Sequence, residues 1–239
     1  CQRQSKKTLA GPVVKGRISS TTTSTEPLGE SLNASLARTK GAVRNSRMVT
    51  VTDIQSRVAE LQKLIRKGAL DSDIREKVAG VLGRKCGDGF CVNPKDYDAE
   101  AKALFNAIVD PRSNLAVRYT REHPKVDVFQ APKKTLQLRI GDCDDLTALL
   151  ATLLVAAGHT PELVTMQSQG ASDYSHILLR TPRSGGDGMT TKGDPNSWLY
   201  LDPSMPNKPA GWEPPGLSKV LAGHGPSGIT VKARTFRVV

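Results

Sequence analysis

The chain has few aromatic side chains and no long apolar run. Phe, Trp and Tyr make up 4% of its 239 residues, and hydrophobic residues make up 38%. A membrane-spanning helix needs about 20 consecutive apolar residues, and the longest apolar segment, residues 146–157, is interrupted by two threonines. The sequence therefore predicts a protein without a membrane span, with part of the chain lying outside the hydrophobic core.

Cysteine is also scarce, with four residues in the whole chain. This number does not make a disulfide framework. Cys86 and Cys91 flank a short Gly-Asp-Gly-Phe segment that could close into a loop, but we expect them to be unpaired surface thiols. No histidine lies near them in sequence, so the pair does not predict a zinc site. No other metal and no cofactor is predicted for the chain. The chain begins at Cys1 rather than Met, and we expect it to be processed or trimmed.

Positive charge is concentrated at the start of the chain. The whole chain carries a net charge of +11, and residues 1–50 account for +7 of it, with nine Lys/Arg and two Glu. Residues 1–48 have no apolar periodicity and are predicted to form an extended basic arm. Such an arm is commonly a solvated tail, but it could bind nucleic acid or protein partners in a larger assembly.

Helical periodicity follows the arm. Ile54, Val58, Leu61 and Ile65 form one apolar stripe that ends at Gly68, and Thr52 with Gln55 resembles a capping box at its start. Second and third helices are predicted over residues 72–82 and 97–109. We interpret residues 49–95 as a helical hairpin that extends residues 96–205, the predicted core.

Strands are predicted in the second half of the chain. They cover residues 162–166, 174–181, 197–202 and 229–239, of which the last lies in a Pro/Gly-rich tail, residues 206–239. Helices first and an antiparallel sheet afterwards predict an α+β fold.

One stretch, residues 140–155, organises this arrangement. Asp142 is a good N-cap, and the leucines that follow are spaced as on one face of a helix. Cys143 therefore falls in the first helical turn, where backbone N–H groups and the helix dipole favour a thiolate. Asp142, Asp144 and Asp145 could equally serve an ordinary helix start with an inert thiol, and no metal is predicted there.

A nucleophile needs a base and a group that orients the base. His176 lies in one predicted strand and Asp202 at the end of the next, so an antiparallel pair could place them together. With Cys143 they would form a Cys–His–Asp triad, with the N–H of Cys143 as an oxyanion donor and Gln137 as a further side-chain donor. His123, His159 and His224 are expected on the surface.

These motifs, in this order, resemble the transglutaminase-like superfamily of cysteine peptidases. The segments that carry the resemblance are Gly141-Asp142-Cys143-Asp144-Asp145, Ser175-His176-Ile177 and Trp198-Leu199-Tyr200-Leu201-Asp202-Pro203. It implies a papain-like core with the nucleophile helix packed on an antiparallel sheet. In that family Cys143 would be the nucleophile, His176 the base and Asp202 the orienting group. The Gly-Asp-Cys-Asp-Asp form also resembles short proteins encoded among the structural genes of tailed bacteriophages.

Two functions are therefore expected. The first is a cysteine-dependent hydrolase of peptide or isopeptide bonds, or an acyl transferase, that works through a thioester on a protein or peptidoglycan peptide. The alternative is a non-catalytic structural protein of a virion or assembly that retains the fold. The resemblance implies a phage virion, in the tail or head–tail region, as the setting, and otherwise the bacterial cytoplasm or envelope.

Overall fold

The helices and strands of the protein are known from a computed structural model, which describes residues 47–48, 53–87, 89–91, 94–121, 128–183 and 197–239. Within these ranges lie six helices and ten strands. All of them belong to one compact unit, Lys40–Val239. The predicted basic arm lies outside the described residues except for the two-residue strand β1, Arg47–Met48.

Three of the helices that precede the predicted nucleophile helix lie at the expected places. Each begins at an aspartate whose carboxylate accepts backbone N–H groups of the first turn, the commonest way to satisfy them. Asp53 accepts from Gln55 and Ser56 at 2.8 and 3.0 Å, so the first N-cap is one residue beyond the predicted Thr52, which lies outside the described residues. The helices are α1, Ile54–Ala69, α2, Ser72–Leu82, and α3, Tyr97–Val109.

A four-stranded antiparallel sheet forms the second half of the molecule, in the order β10-β7-β8-β9. Together with the helices it confirms the predicted mixed α+β class. The last strand pairs along most of its length with β7, so the end of the chain is part of the sheet. The strands are β7, Glu162–Ser168, β8, His176–Pro182, β9, Trp198–Leu201, and β10, Thr230–Arg237.

Side chains alternate between the two faces of this sheet, as the strand repeat requires. On β9, Leu199 and Leu201 pack against the helices, whereas Trp198 and Tyr200 pack on the opposite face. That opposite face is covered by a short helix, α6, Leu217–Leu221, which is not among the predicted helices. Both faces of the sheet are therefore buried along most of β7, β8 and β9.

The helix α5, Cys143–Ala156, lies at the centre of the helical layer. Every residue from Asp145 to Leu154 is buried, including Thr147 and Thr152. Its neighbours are α1, α2, α3, a short helix α4, Pro132–Leu138, and strand β8. A helix that is buried on all sides can place its first residue accurately, because the rest of the helix cannot shift.

Short strand pairs connect these elements. Strand β4, Arg118–Tyr119, is parallel to β6, Ile140–Gly141, and β1 pairs with β5, Val128–Phe129.

No helix among the described residues has the length and apolar character needed to cross a membrane.

The hairpin β2–β3, Arg84–Cys86 and Gly89–Cys91, corrects one prediction. A disulfide joins Cys86 to Cys91, with 5.7 Å between their Cα atoms, so these are not unpaired thiols. The hairpin brings the two Cα atoms within the range that a disulfide requires.

Candidate active site

The start of α5 is built by three aspartates that do different work. Asp142 is the N-cap, and its carboxylate accepts the backbone N–H groups of Asp144 and Asp145 at 3.0 and 3.2 Å. Asp145 is 1% exposed and accepts the backbone and side-chain N–H groups of Gln130 at 2.8 and 2.7 Å. Asp144 pairs with Arg57 of α1 at 3.1 Å. The acidic run is thus fixed to two other parts of the fold.

Gly141 is required by this packing. A Cβ atom at this position would lie 2.7 Å from Cβ of Asp145 and 3.1 Å from Cγ2 of Thr135. The first distance is below any ordinary contact, and both neighbours are buried. The glycine that precedes the Asp-Cys pair therefore lets the chain pass close beside the first turn of α5.

Cys143 is the first residue of α5 and faces strand β8. The backbone N–H of Ile177 donates toward its sulfur, and the hydroxyl of Thr147, one turn further along α5, donates to the carbonyl of Ile177 at 3.2 Å. The hydrogen bond from Thr147 therefore joins α5 to β8 at the residue that follows His176.

His176 and Asp202 come together across the sheet. His176 is the first residue of β8 and Asp202 follows β9, and His176 Nε2 lies 2.7 Å from Asp202 Oδ2. The other oxygen of Asp202 accepts the hydroxyl of Ser204 at 2.7 Å and its backbone N–H at 3.2 Å. Asp202 is 3% exposed, so its carboxylate is buried and bonded at both oxygens.

The thiol and the imidazole are not hydrogen-bonded to each other in the described structure. The thiol of Cys143 instead donates to Oδ1 of its neighbour Asp144, at 3.4 Å. The structure thus joins His176 to Asp202 and holds Cys143 against the residue that follows His176. The catalytic roles of the three residues stay predictions.

The surroundings of the Cys143 thiol favour its protonated form. Burial raises the pKa of Cys143 well above its usual range, and the negative charges of Asp144 and Asp142 and the hydrogen bond to Asp144 raise it further. The N–H of Ile177 acts in the opposite direction. A place at the helix N-terminus predicts a thiolate, but desolvation and two flanking carboxylates outweigh that effect here.

Gln137 lies near the end of α4 with an exposed side chain. The proposed oxyanion contact is not among the hydrogen bonds of the described residues, so its role stays a prediction. Arg139 ends the helix in a left-handed conformation, φ 57°, and turns the chain into β6 toward Cys143.

The other histidines differ from the prediction in one case. His159 is buried rather than exposed, because its Nε2 lies 3.1 Å from Glu100 Oε2 on α3 and its ring packs edge-on against Tyr97. Burial lowers its pKa, although Glu100 acts against this. His224 is exposed, as predicted, and His123 lies outside the described residues.

Two further features resemble binding sites. Asp142, Cys143 and Asp144 offer ligand atoms within 4.8 Å of one another, but both carboxylates already have protein partners, so the cluster alone does not indicate a metal. A cleft of about 570 Å³ lies between α2, α3 and the last residues of α5. It is some 20 Å from Cys143 along the helix axis, so it is separate from the candidate site.

Comparison with known proteins gives two similar solved structures. One is a putative protease from Parabacteroides distasonis ATCC 8503, with a TM-score of 0.39 and 11% identity over 60% of this chain and 29% of the other. The second is a putative cysteine protease from Cytophaga hutchinsonii, with a TM-score of 0.37 and 13% identity over 71% of this chain and 46% of the other. The chain thus spans less than half the length of either protein.

Likeness at these TM-scores carries no argument about function. A scan against protein-family models finds no match, and neither does a search of curated proteins. Neither similar structure is named as a phage protein, so the virion setting stays a prediction.

Proposed function

We propose that the protein is a cysteine-dependent amide hydrolase or acyl transferase in which Cys143 is the nucleophile, His176 the general base and Asp202 the group that orients the base. The observation that carries this proposal is the hydrogen bond between His176 and Asp202 at 2.7 Å. His176 is followed by Ile177, whose N–H faces the thiol. A buried, fully bonded carboxylate on a histidine, together with a cysteine in the first turn of a helix, is the arrangement that thiol catalysis needs.

The hydrogen bond also assigns roles to the two ring nitrogens. Since Nε2 faces Asp202, it carries the proton and donates to the carboxylate, which leaves Nδ1 as the basic nitrogen. Nδ1 is therefore the atom that would accept the thiol proton. For this transfer the thiol must exchange its acceptor, from Asp144 Oδ1 to His176 Nδ1.

The reaction follows from these roles. Nδ1 takes the proton from the thiol as the sulfur attacks the carbonyl carbon, and the oxygen of the tetrahedral intermediate gains the negative charge. The N–H of Cys143 is available to that oxygen, because the Asp142 cap binds the next two N–H groups. The imidazolium then protonates the leaving amine, which leaves a thioester. Attack by water gives hydrolysis, and attack by an amine gives transfer.

A protonated resting thiol makes His176 a general base rather than half of a preformed ion pair. It also favours the second candidate function, a structural protein that retains the fold without turnover, because a thiol bonded to Asp144 is unreactive until it moves. The two functions differ in whether the thiol reacts with help from His176.

Acetyl transfer from p-nitrophenyl acetate to Cys143 tests the proposal. Mass spectrometry of the peptide that contains Cys143 identifies the thioester, so Cys1 does not contribute. We expect His176→Ala to slow acetylation at least about a hundredfold at neutral pH. His224→Ala, which removes an exposed histidine, is the matched control and should leave the rate unchanged. Equal rates in the wild type and His176→Ala would favour the structural function.

A further inference from the structure

Arg57 connects the helical hairpin to the candidate nucleophile. It lies in the first turn of α1, and its Nη2 is 3.1 Å from Asp144 Oδ2. The other oxygen of the same carboxylate, Oδ1, accepts the thiol of Cys143 at 3.4 Å. One carboxylate therefore lies between a cation and the sulfur.

This contact is partly shielded from water. The side chains of Arg57 and Asp144 are 34% and 13% exposed. The guanidinium also lies over the ring of Phe129, 5.6 Å from its centroid, and Phe129 is 2% exposed. A charge pair in such a setting is weakened less by solvent than a surface pair.

The other charged and polar groups around the thiol lie at the start of α5 and on β8. Asp142, the N-cap of α5, adds negative charge, and the N–H of Ile177 on β8 favours a thiolate. His176 is bonded to Asp202, and Asp145 is bonded to Gln130. Arg57 supplies a positive charge that contacts Asp144, the carboxylate that accepts the thiol.

On the basis of the proposed function, we propose that Arg57 is a positioning residue for Cys143: by binding Asp144, it sets how readily the thiol gives up its proton. Without Arg57, less of the negative charge of Asp144 would be neutralised, so the carboxylate would oppose a thiolate and accept the thiol more strongly. With Asn at position 144, both effects would disappear. The helical hairpin would then supply part of the site in addition to a scaffold.

The rate of iodoacetamide alkylation at Cys143 tests this proposal. It is followed on the Cys143 peptide between about pH 6 and pH 10, where the rate reports the fraction of thiolate. We expect Arg57→Gln to react about tenfold more slowly than the wild type at a given pH, and Asp144→Asn about tenfold faster. The double variant should resemble Asp144→Asn, because Arg57 acts through Asp144.

Lys133→Gln is the matched control. Lys133 binds two aspartates at the start of another helix, Asp71 and Asp73 of α2, at 3.1 and 2.6 Å. Its removal changes the net charge equally without touching Asp144, so the alkylation rate should stay within about twofold of the wild type.

Several outcomes would overturn the proposal. One is an Arg57→Gln variant that is folded by circular dichroism and is alkylated as fast as the wild type. Another is an Arg57→Gln substitution that slows alkylation by the same factor in the wild type and in the Asp144→Asn variant. If Arg57→Gln does not fold, Asp144→Asn and Arg57→Lys decide. Asp144→Asn that is no faster than the wild type, or Arg57→Lys that slows as much as tenfold, would contradict it.

His176→Ala, measured in parallel, separates this proposal from the proposed function. Slow alkylation in His176→Ala with no effect of Arg57→Gln would leave the catalytic proposal standing and reject the role of Arg57. Slow alkylation in Arg57→Gln with no effect of His176→Ala would reject the catalytic pair and leave the electrostatic contact.

Discussion

Two histidines in this protein bind a carboxylate through Nε2, and they differ in what surrounds the rest of the ring. His176 lies 2.7 Å from Asp202, and His159 lies 3.1 Å from Glu100. The side chain of His176 is 22% exposed, whereas that of His159 is fully buried. In His159 the second nitrogen, Nδ1, is buried without a hydrogen-bond partner.

The comparison shows that a histidine–carboxylate contact does not by itself make a base. His159 packs against Tyr97 and bonds to Glu100, both on α3, so this histidine–carboxylate pair serves the packing of that helix. His176 is adjacent to Ile177, whose N–H faces Cys143, and its Nδ1 is not held by a described contact. What distinguishes the candidate site is a partly exposed histidine that adjoins the residue facing the candidate nucleophile.

Replacing Asp202 and Glu100 by their amides should show the largest difference in activity between the two histidine–carboxylate pairs. Asp202→Asn should slow acetylation of Cys143 about a hundredfold or more, because an amide in this position can favour the wrong tautomer of His176. Glu100→Gln should leave the rate of the folded protein within about twofold. The measurement is acetyl transfer from p-nitrophenyl acetate, and similar losses in both variants would contradict the assignment.

His159→Gln should affect stability instead of activity. It removes a buried ring that contacts Tyr97 and Glu100, which should cost about 2 kcal/mol in the free energy of unfolding. Urea unfolding measures this, with the exposed His224→Gln as a control expected within about 0.5 kcal/mol of the wild type. A His159→Gln variant as stable as the wild type would show that the buried pair does not support the fold.

The pH dependence of stability should show the same contrast on a smaller scale. Burial lowers the pKa of His159 below its ordinary value of 6.5, although Glu100 opposes this. The unfolded chain therefore binds the proton more tightly, so His159 makes stability fall as the pH drops below about 6.5. His159→Gln should reduce the loss of stability between about pH 7.5 and pH 5.5. An unchanged loss would contradict the lowered pKa.

Ser204 gives the smallest expected effect. Its hydroxyl donates to Asp202 at 2.7 Å, while its backbone N–H keeps a second bond to the same oxygen. Ser204→Ala should therefore slow acetylation only about threefold, and Ser204→Thr, which retains a hydroxyl, should restore most of the rate. A loss as large as that of Asp202→Asn would show that Ser204 does more than orient the carboxylate.

Local patterns in the sequence predicted much of the fold. Helices α2 and α3 have the predicted bounds, because their aspartate caps and apolar stripes lie within the segments themselves. Asp142 as the cap of α5 follows from the same local rule. Helix α4 was missed because its seven residues bury only Pro132 and Thr135, which do not form an apolar stripe.

Contacts between distant segments could not be predicted in this way. Glu100 reaches His159 across 59 residues, so a histidine in a turn is buried. Arg57 reaches Asp144 across 87 residues, so the cation beside the candidate nucleophile was missed. The order of the predicted strands indicated that His176 and Asp202 lie close together. The raised pKa of the Cys143 thiol could not be predicted, because it depends on burial that the sequence does not show.

The central claim is that the sulfur of Cys143 and Nδ1 of His176 can meet. Dibromoacetone tests it directly, because this reagent alkylates a thiol and then bridges it to a nucleophile within reach of three carbon atoms. The account predicts a cross-linked peptide that joins Cys143 to His176 through Nδ1. A product alkylated at Cys143 with His176 unmodified would contradict it.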